Sequence, residues 1–162
     1  VVLFALNQSG CDSPSQPAQR LLTTCADRTT SDQLAVGIGR DGFTATDELD
    51  RALIVGGYQG GHHLWGALRL NANTAADVDQ LHLIACQDET IIAEALYGSV
   101  DSILTESDDF YGIPVVFGPG VDVSTLEGMP VTIIAAVNGD QGISYATATI
   151  DLECCGHVAD GD

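Results

Sequence analysis

Short apolar runs separated by turn residues recur along most of this chain. Each run is rich in Val, Ile, Leu and Ala and is bounded by Gly, Asn or Asp, which is typical of strands rather than helices. The run at 90–97 could form a helical turn on propensity, but its position between other runs favours a strand. The predicted strands are 33–39, 52–56, 61–70, 78–86, 90–97, 113–117, 130–137 and 143–155.

Strands of this number and spacing predict an all-β fold, specifically an Ig-like Greek-key β-sandwich stapled by disulfides. A chain of 162 residues suits one such domain. We expect the sandwich at 33–155, an apolar segment at 1–10, a Ser/Thr/Pro-rich tether at 11–32 that forms an extended arm, and an acidic tail at 156–162. The predicted core residues are Ile54, Leu64, Leu68, Leu83 or Ile84, Ile133, Ala146, Ala148 and Ile150.

The charge of the chain excludes several classes of partner. Its formal net charge is −18, and all five of its basic residues other than histidine are arginines. Nucleic acid and anionic lipid headgroups both require a basic face, so neither is expected as a partner. Acidic pairs such as Asp47-Glu48 and Asp108-Asp109 favour divalent cations, and an incidental Ca²⁺ site stays open, although their spacing matches no EF-hand. No stretch approaches the 20 apolar residues of a membrane span.

Five cysteines predict disulfides and an extracytoplasmic location. Cys154 and Cys155 are neighbours in a strand, so their side chains should point to opposite faces. Cys154 is in phase with small apolar residues and should point inward, where Cys86 is its natural partner. Cys155 would then pair with Cys25, which leaves Cys11 as the odd cysteine. Four paired cysteines always permit three pairings, so this connectivity is one of three.

The start of the chain permits two interpretations. An uninterrupted apolar run is followed by Ser9-Gly10-Cys11 and then by a Ser/Pro/Gln segment. This arrangement resembles the export and lipidation boundary of a bacterial lipoprotein, with Cys11 as the anchor. The run is also β-prone and free of Pro, so it could instead dock as a strand on a sheet of a neighbouring subunit, where Cys11 could link the two. The residues of the run are Val1, Val2, Leu3, Phe4, Ala5 and Leu6.

One segment resembles a known but uncharacterised family of secreted or lipid-anchored proteins from environmental Gram-negative bacteria. Those proteins carry a Gly-Pro-Gln-Gly-Gly-aromatic-His-aliphatic-Trp pattern before a strand that ends in Leu-Arg. Here Tyr58 replaces the Pro and His62 replaces the aromatic residue. The likeness covers residues 33–153 and implies an Ig-like sandwich and an extracytoplasmic location, but no activity. The matching run is Gly57-Tyr58-Gln59-Gly60-Gly61-His62-His63-Leu64-Trp65-Gly66-Ala67-Leu68-Arg69-Leu70.

The histidines are the only set of residues in the sequence that suggests a chemical site. On a strand, His62 would face the core and His63 would lie beside Trp65 on the outer face. His63 and His82, if their strands are adjacent, could bind Cu or Zn. The alternative is that these histidines are structural. The chain carries no HExxH, Cys-x-x-Cys or Gly-x-Ser-x-Gly motif, so we expect no enzyme.

Two functions from different classes follow from these observations. In the first, the protein is a non-enzymatic structural subunit that self-assembles outside the cell into a pilus-like or sheath-like filament, because its N-terminal strand docks on a neighbour. In the second, it is a surface lipoprotein that is anchored at Cys11 and acts as a binding module. A small Cu or Zn site at His63 and His82 remains a variant of the second.

Overall fold

The protein is built from short and medium-length β-strands. The computed structural model describes residues 18–26, 28–57, 60–70, 78–100, 103–106 and 108–156. Within these residues the only helical elements are two short 3-10 turns, Thr46–Glu48 and Val123–Leu126, so the all-β prediction is confirmed. The strands are β1 (Leu34–Ile38), β2 (Thr44–Ala45), β3 (Arg51–Gly56), β4 (His62–Leu70), β5 (Val78–Gln87), β6 (Thr90–Tyr97), β7 (Leu104–Glu106), β8 (Asp109–Phe117), β9 (Pro130–Gly139) and β10 (Gly142–Gly156).

The sheet closes on itself into a seven-stranded barrel-like structure. Its strands follow the order β3-β10-β9-β5-β6-β8-β4, and β4 returns to β3 through the pairs Val55–His63 and Gly56–His62. All of these pairings are antiparallel except that of β3 with β10, which is parallel. The short strands β1 and β2 continue from β4, and β7 pairs with β8.

The closure corrects the predicted Ig-like Greek-key sandwich, because the fold is a barrel rather than two stacked sheets. The cause lies in β4, which hydrogen-bonds along both of its edges. One edge pairs with β8 from His63 to Arg69, while the other is shared between β3 at its start and β1 at its end. A sandwich would leave β4 in one sheet and β8 in the other, with open edges that a closed barrel removes.

The barrel interior is filled by side chains from all seven strands, which form one continuous apolar cluster. Alternation along each strand explains this filling, since every second side chain points inward. The core residues predicted from the sequence are buried, and Ala148 is partly buried against the same cluster, so the predicted core is confirmed. Largely enclosed in this interior are Ile54, Leu64, Leu68, Leu83, Ile113, Ile133, Ala146, Ile150 and Leu152.

A second, smaller apolar cluster lies on the outside of the barrel. Residues 18–26, which we call the strap, cross the outer face of β5 and bury Leu22 completely. Ile84 of β5 and Ile134 of β9 form the floor beneath it. Both faces of β5 are therefore covered, one by the barrel interior and the other by the strap. Part of the segment predicted as a tether thus packs against the domain.

Candidate functional site

The strap is joined to the barrel covalently as well as by packing. Cys25 forms a disulfide with Cys86 at the end of β5, with their Cα atoms 5.9 Å apart, an ordinary separation for such a bond. Leu22 belongs to the same outer apolar cluster as Cys86 and Ile134, and Cys25 packs against this cluster. The backbone carbonyl of Gln19 also accepts a hydrogen bond from the side-chain amide of Gln80. The strap is thus held at several points along its length.

This arrangement corrects the predicted pairs Cys86–Cys154 and Cys25–Cys155. Cys86 does not point into the barrel but faces outward with Ile84, toward the strap, because alternate side chains of a strand share a face and Leu83 and Ala85 take the inward positions. Cys154 lies against the interior cluster and is joined to its neighbour Cys155. The prediction paired Cys86 with Cys154 because Cys86 ends another strand, whereas alternation along β5 places Cys86 outward, where the strap brings Cys25.

His82 is the only fully buried polar side chain among the residues that the structure describes. Its Nδ1 accepts hydrogen bonds from the backbone N–H groups of Leu21 at 3.2 Å and of Leu22 at 2.9 Å. An imidazole nitrogen that accepts cannot carry a proton, so the proton of the neutral ring is on Nε2. From there it is donated to Oε1 of Glu94, 2.9 Å away on β6. Both ring nitrogens are therefore engaged.

Glu94 extends this network to the strap. Its second oxygen, Oε2, forms an ion pair with the guanidinium of Arg20 at 2.6 Å. The pKa of His82 is lowered, first because burial disfavours the charged ring; hydrogen bonding and charge from Glu94 oppose this shift, and Arg20 adds to it. The strap, β5 and β6 are thereby linked by one chain of hydrogen bonds around a neutral histidine.

One of the two shortest pairings in the barrel lies beside this network, the other being that of β3 with β4. β6 and β8 are joined through only two residue pairs, Ala93–Phe117 and Glu94–Val116, and we call this junction the seam. An open groove of about 540 Å³ runs along it. Val116 is 48% exposed although it is apolar. The groove, which we call the seam groove, has Arg20, Ile91, Glu94, Leu96, Val116 and Pro119 among its lining residues.

The structure does not bring the two predicted metal ligands together. His63 lies on β4 and His82 on β5, with β8 and β6 between them in the sheet. The ring of His63 meets Trp65 edge-on at 4.5 Å, as the structural interpretation of this residue predicts, and burial and then His62 lower its pKa. No group of three or more His, Cys, Asp or Glu residues that could hold a metal occurs in the described part of the chain.

The remaining predicted site residues belong to the N-terminal segment. Val1, Val2, Leu3, Phe4, Ala5, Leu6 and Cys11 lie outside the described residues. Among the residues that are described, none forms a helix long and apolar enough to cross a membrane. No protein-family model matches the chain, and a search of curated proteins found no match.

Sequence reasoning missed both the strap and the role of His82. Two signals were available. The pair Leu21-Leu22 is the only apolar pair in an otherwise polar stretch near Cys25, which indicates a buried anchor. The run 81–86 is apolar on both faces except at His82, and a strand with two apolar faces requires a cover on each.

Proposed function

We propose that the protein is a non-enzymatic, extracytoplasmic structural subunit that self-associates when the N-terminal segment of one copy docks in the seam groove of another. The single observation that carries the proposal is the groove itself. It lies along a junction of only two residue pairs and presents exposed apolar surface at Val116. Apolar surface beside an incompletely paired strand is a recognised site for an added strand.

The N-terminal segment has the composition that such a groove requires. Its residues 1–6 are all apolar, and as a strand they would extend about 20 Å at roughly 3.3 Å per residue. The linking residues 7–17 reach at most about 40 Å when extended. The strap follows these residues in the chain, and its residue Arg20 lines the groove. A segment from a neighbour, rather than from the same chain, would generate an open-ended assembly.

The disulfide supports the extracytoplasmic location, and the net charge is compatible with an assembled form. The Cys25–Cys86 bond is typical of proteins outside the reducing cytosol. The net charge of −18 would keep finished assemblies apart by mutual repulsion. A structural role is further supported by His82, whose ring nitrogens are both engaged in holding the strap, so this buried histidine is not free to act as a general base.

Light scattering after size-exclusion chromatography tests the proposal with a matched pair of variants. Val116 is 48% exposed in the groove, and Ile143 is 47% exposed on the β9–β10 hairpin. Val116→Asp and deletion of residues 1–6 should both give a monomer, because the first places a charge in the acceptor and the second removes the donor. Ile143→Asp should assemble as the unmodified chain does.

Equal assembly of the two Asp variants would contradict the groove as acceptor, and assembly of the deletion variant would contradict the donor. Mass spectrometry of the native N-terminus addresses the alternative function. A mature chain that begins at a lipidated Cys11 lacks Val1–Leu6 altogether. That result would replace the assembly proposal with a surface lipoprotein whose groove binds another partner.

A further inference from the structure

We propose that His82 is a protonation-controlled latch: proton uptake at Nδ1 releases the strap from the outer face of β5, while the Cys25–Cys86 disulfide keeps it attached. This inference does not depend on the proposed assembly. It rests on the geometry of one ring, because Nδ1 accepts two backbone N–H groups, from Leu21 and Leu22. A protonated Nδ1 is a donor and can accept neither.

The surroundings of the ring determine what protonation does. Glu94 of β6 faces Nε2, and Arg20 of the strap faces Glu94. On the same outer face, β9 contributes Ile134 and Ala136 to the cluster beneath the strap, and β10 contributes Tyr145. The guanidinium of Arg28, which follows the strap, lies 5.7 Å from the centre of the Tyr145 ring. A charged His82 would retain Glu94 as its partner but would lose both backbone bonds. The strap is therefore the element that gives way, whereas β5 and β6 remain paired.

The direction of the pH dependence follows from linkage. Burial lowers the pKa of His82 in the latched form below its ordinary value, which is about 6.5 for a solvated ring. The released form therefore binds more protons than the latched form in this window. The latch is at full strength above about pH 6.5 and weakens as the pH falls toward the lowered pKa. One proton changes the opening equilibrium by at most about tenfold per pH unit.

Residue-resolved amide exchange of the full chain, with its disulfides intact, tests the latch. After correction for intrinsic exchange, the protection of the Leu21 and Leu22 amides should fall by up to about tenfold per unit below pH 6.5. The amide of Ile134, within the β9 ladder, should keep its protection. In His82→Gln, which cannot take up a proton, the protection of the strap should not vary between pH 8 and 5.

His63→Gln is the matched control, because His63 is also a histidine with a lowered pKa but lies away from the strap, and it should reproduce the unmodified profile. Constant protection in the unmodified chain, or an unchanged pH profile in His82→Gln, would overturn the proposal. If His82→Gln does not fold, NMR titration of the unmodified chain decides. The midpoint of the His82 ring should coincide with that of the Leu22 amide, and separate midpoints would refute the latch.

Discussion

Replacing Gly66 by alanine tests whether the barrel is a solid core or a container for a ligand. Gly66 lies in β4 with its hydrogen pointing inward. A Cβ built there would lie 2.8 Å from Cδ2 of Leu83 and 3.0 Å from Cγ2 of Val115, both closer than the 3.5–4.0 Å of a favourable carbon contact. Leu83 and Val115 are themselves enclosed by the interior cluster, so neither has free space into which to move.

The expected loss in the free energy of unfolding of Gly66→Ala follows from comparison with a second glycine, Gly118. At Gly118 the nearest atom to a built Cβ is the carbonyl oxygen of Ile92, at 3.8 Å, which is an ordinary contact. Both substitutions restrict the unfolded chain equally and gain about 0.4–1 kcal/mol from it. Only Gly66→Ala adds overpacking, which costs about 1–3 kcal/mol. The free energy of unfolding of Gly66→Ala should therefore fall about 1–3 kcal/mol below that of Gly118→Ala.

Urea denaturation followed by far-UV circular dichroism measures this difference. The slope of the transition should be the same for both variants, so that the change lies in stability and not in compactness. Values that agree within about 0.5 kcal/mol, the usual range for unconstrained sites, would refute the reasoning. They would mean that the barrel interior has room beside Leu83, and a ligand inside the barrel would then have to be considered.

Two further predictions concern the strap and a buried phenol. Non-reducing peptide mapping should recover Cys25 linked to Cys86, and replacing both by Ser should cost about 2–5 kcal/mol in unfolding free energy; recovery of Cys25 linked to Cys155 would contradict the fold. Burial raises the pKa of Tyr97 above its ordinary value, so Tyr97→Phe should remove one step above about pH 10 from a spectrophotometric titration and lessen the loss of stability above that pH. A titration that keeps that step would show that the phenol is solvated.

The strands could be predicted because each forms within a short stretch of sequence. The predicted run 61–70 and the observed β4, His62–Leu70, differ by one residue, since its turn residues and apolar alternation are both local. The strands β2 and β7 have only two and three residues, too few for alternation to be visible. Local pattern thus located the longer elements and failed on the shortest.

The closure of the barrel could not be predicted in the same way. It depends on β4 dividing one edge between β3 and β1, and on the parallel pairing of Asp151 with Arg51. Neither feature changes the alternation of apolar residues within a strand, which is equally compatible with a sandwich. The strap was missed for a related reason, because a single buried Leu22 carries little periodic signal.

The position of Glu94 couples the proposed latch to the seam groove. One of its oxygens accepts from His82 and the other pairs with Arg20, and both Arg20 and Glu94 line the seam groove. Release of the strap would therefore remove Arg20 from one wall. Under the proposed assembly, a docked neighbour that contacts this wall would hold the strap closed. By thermodynamic reciprocity, docking would then oppose proton uptake at His82 to the same degree that protonation opposes docking.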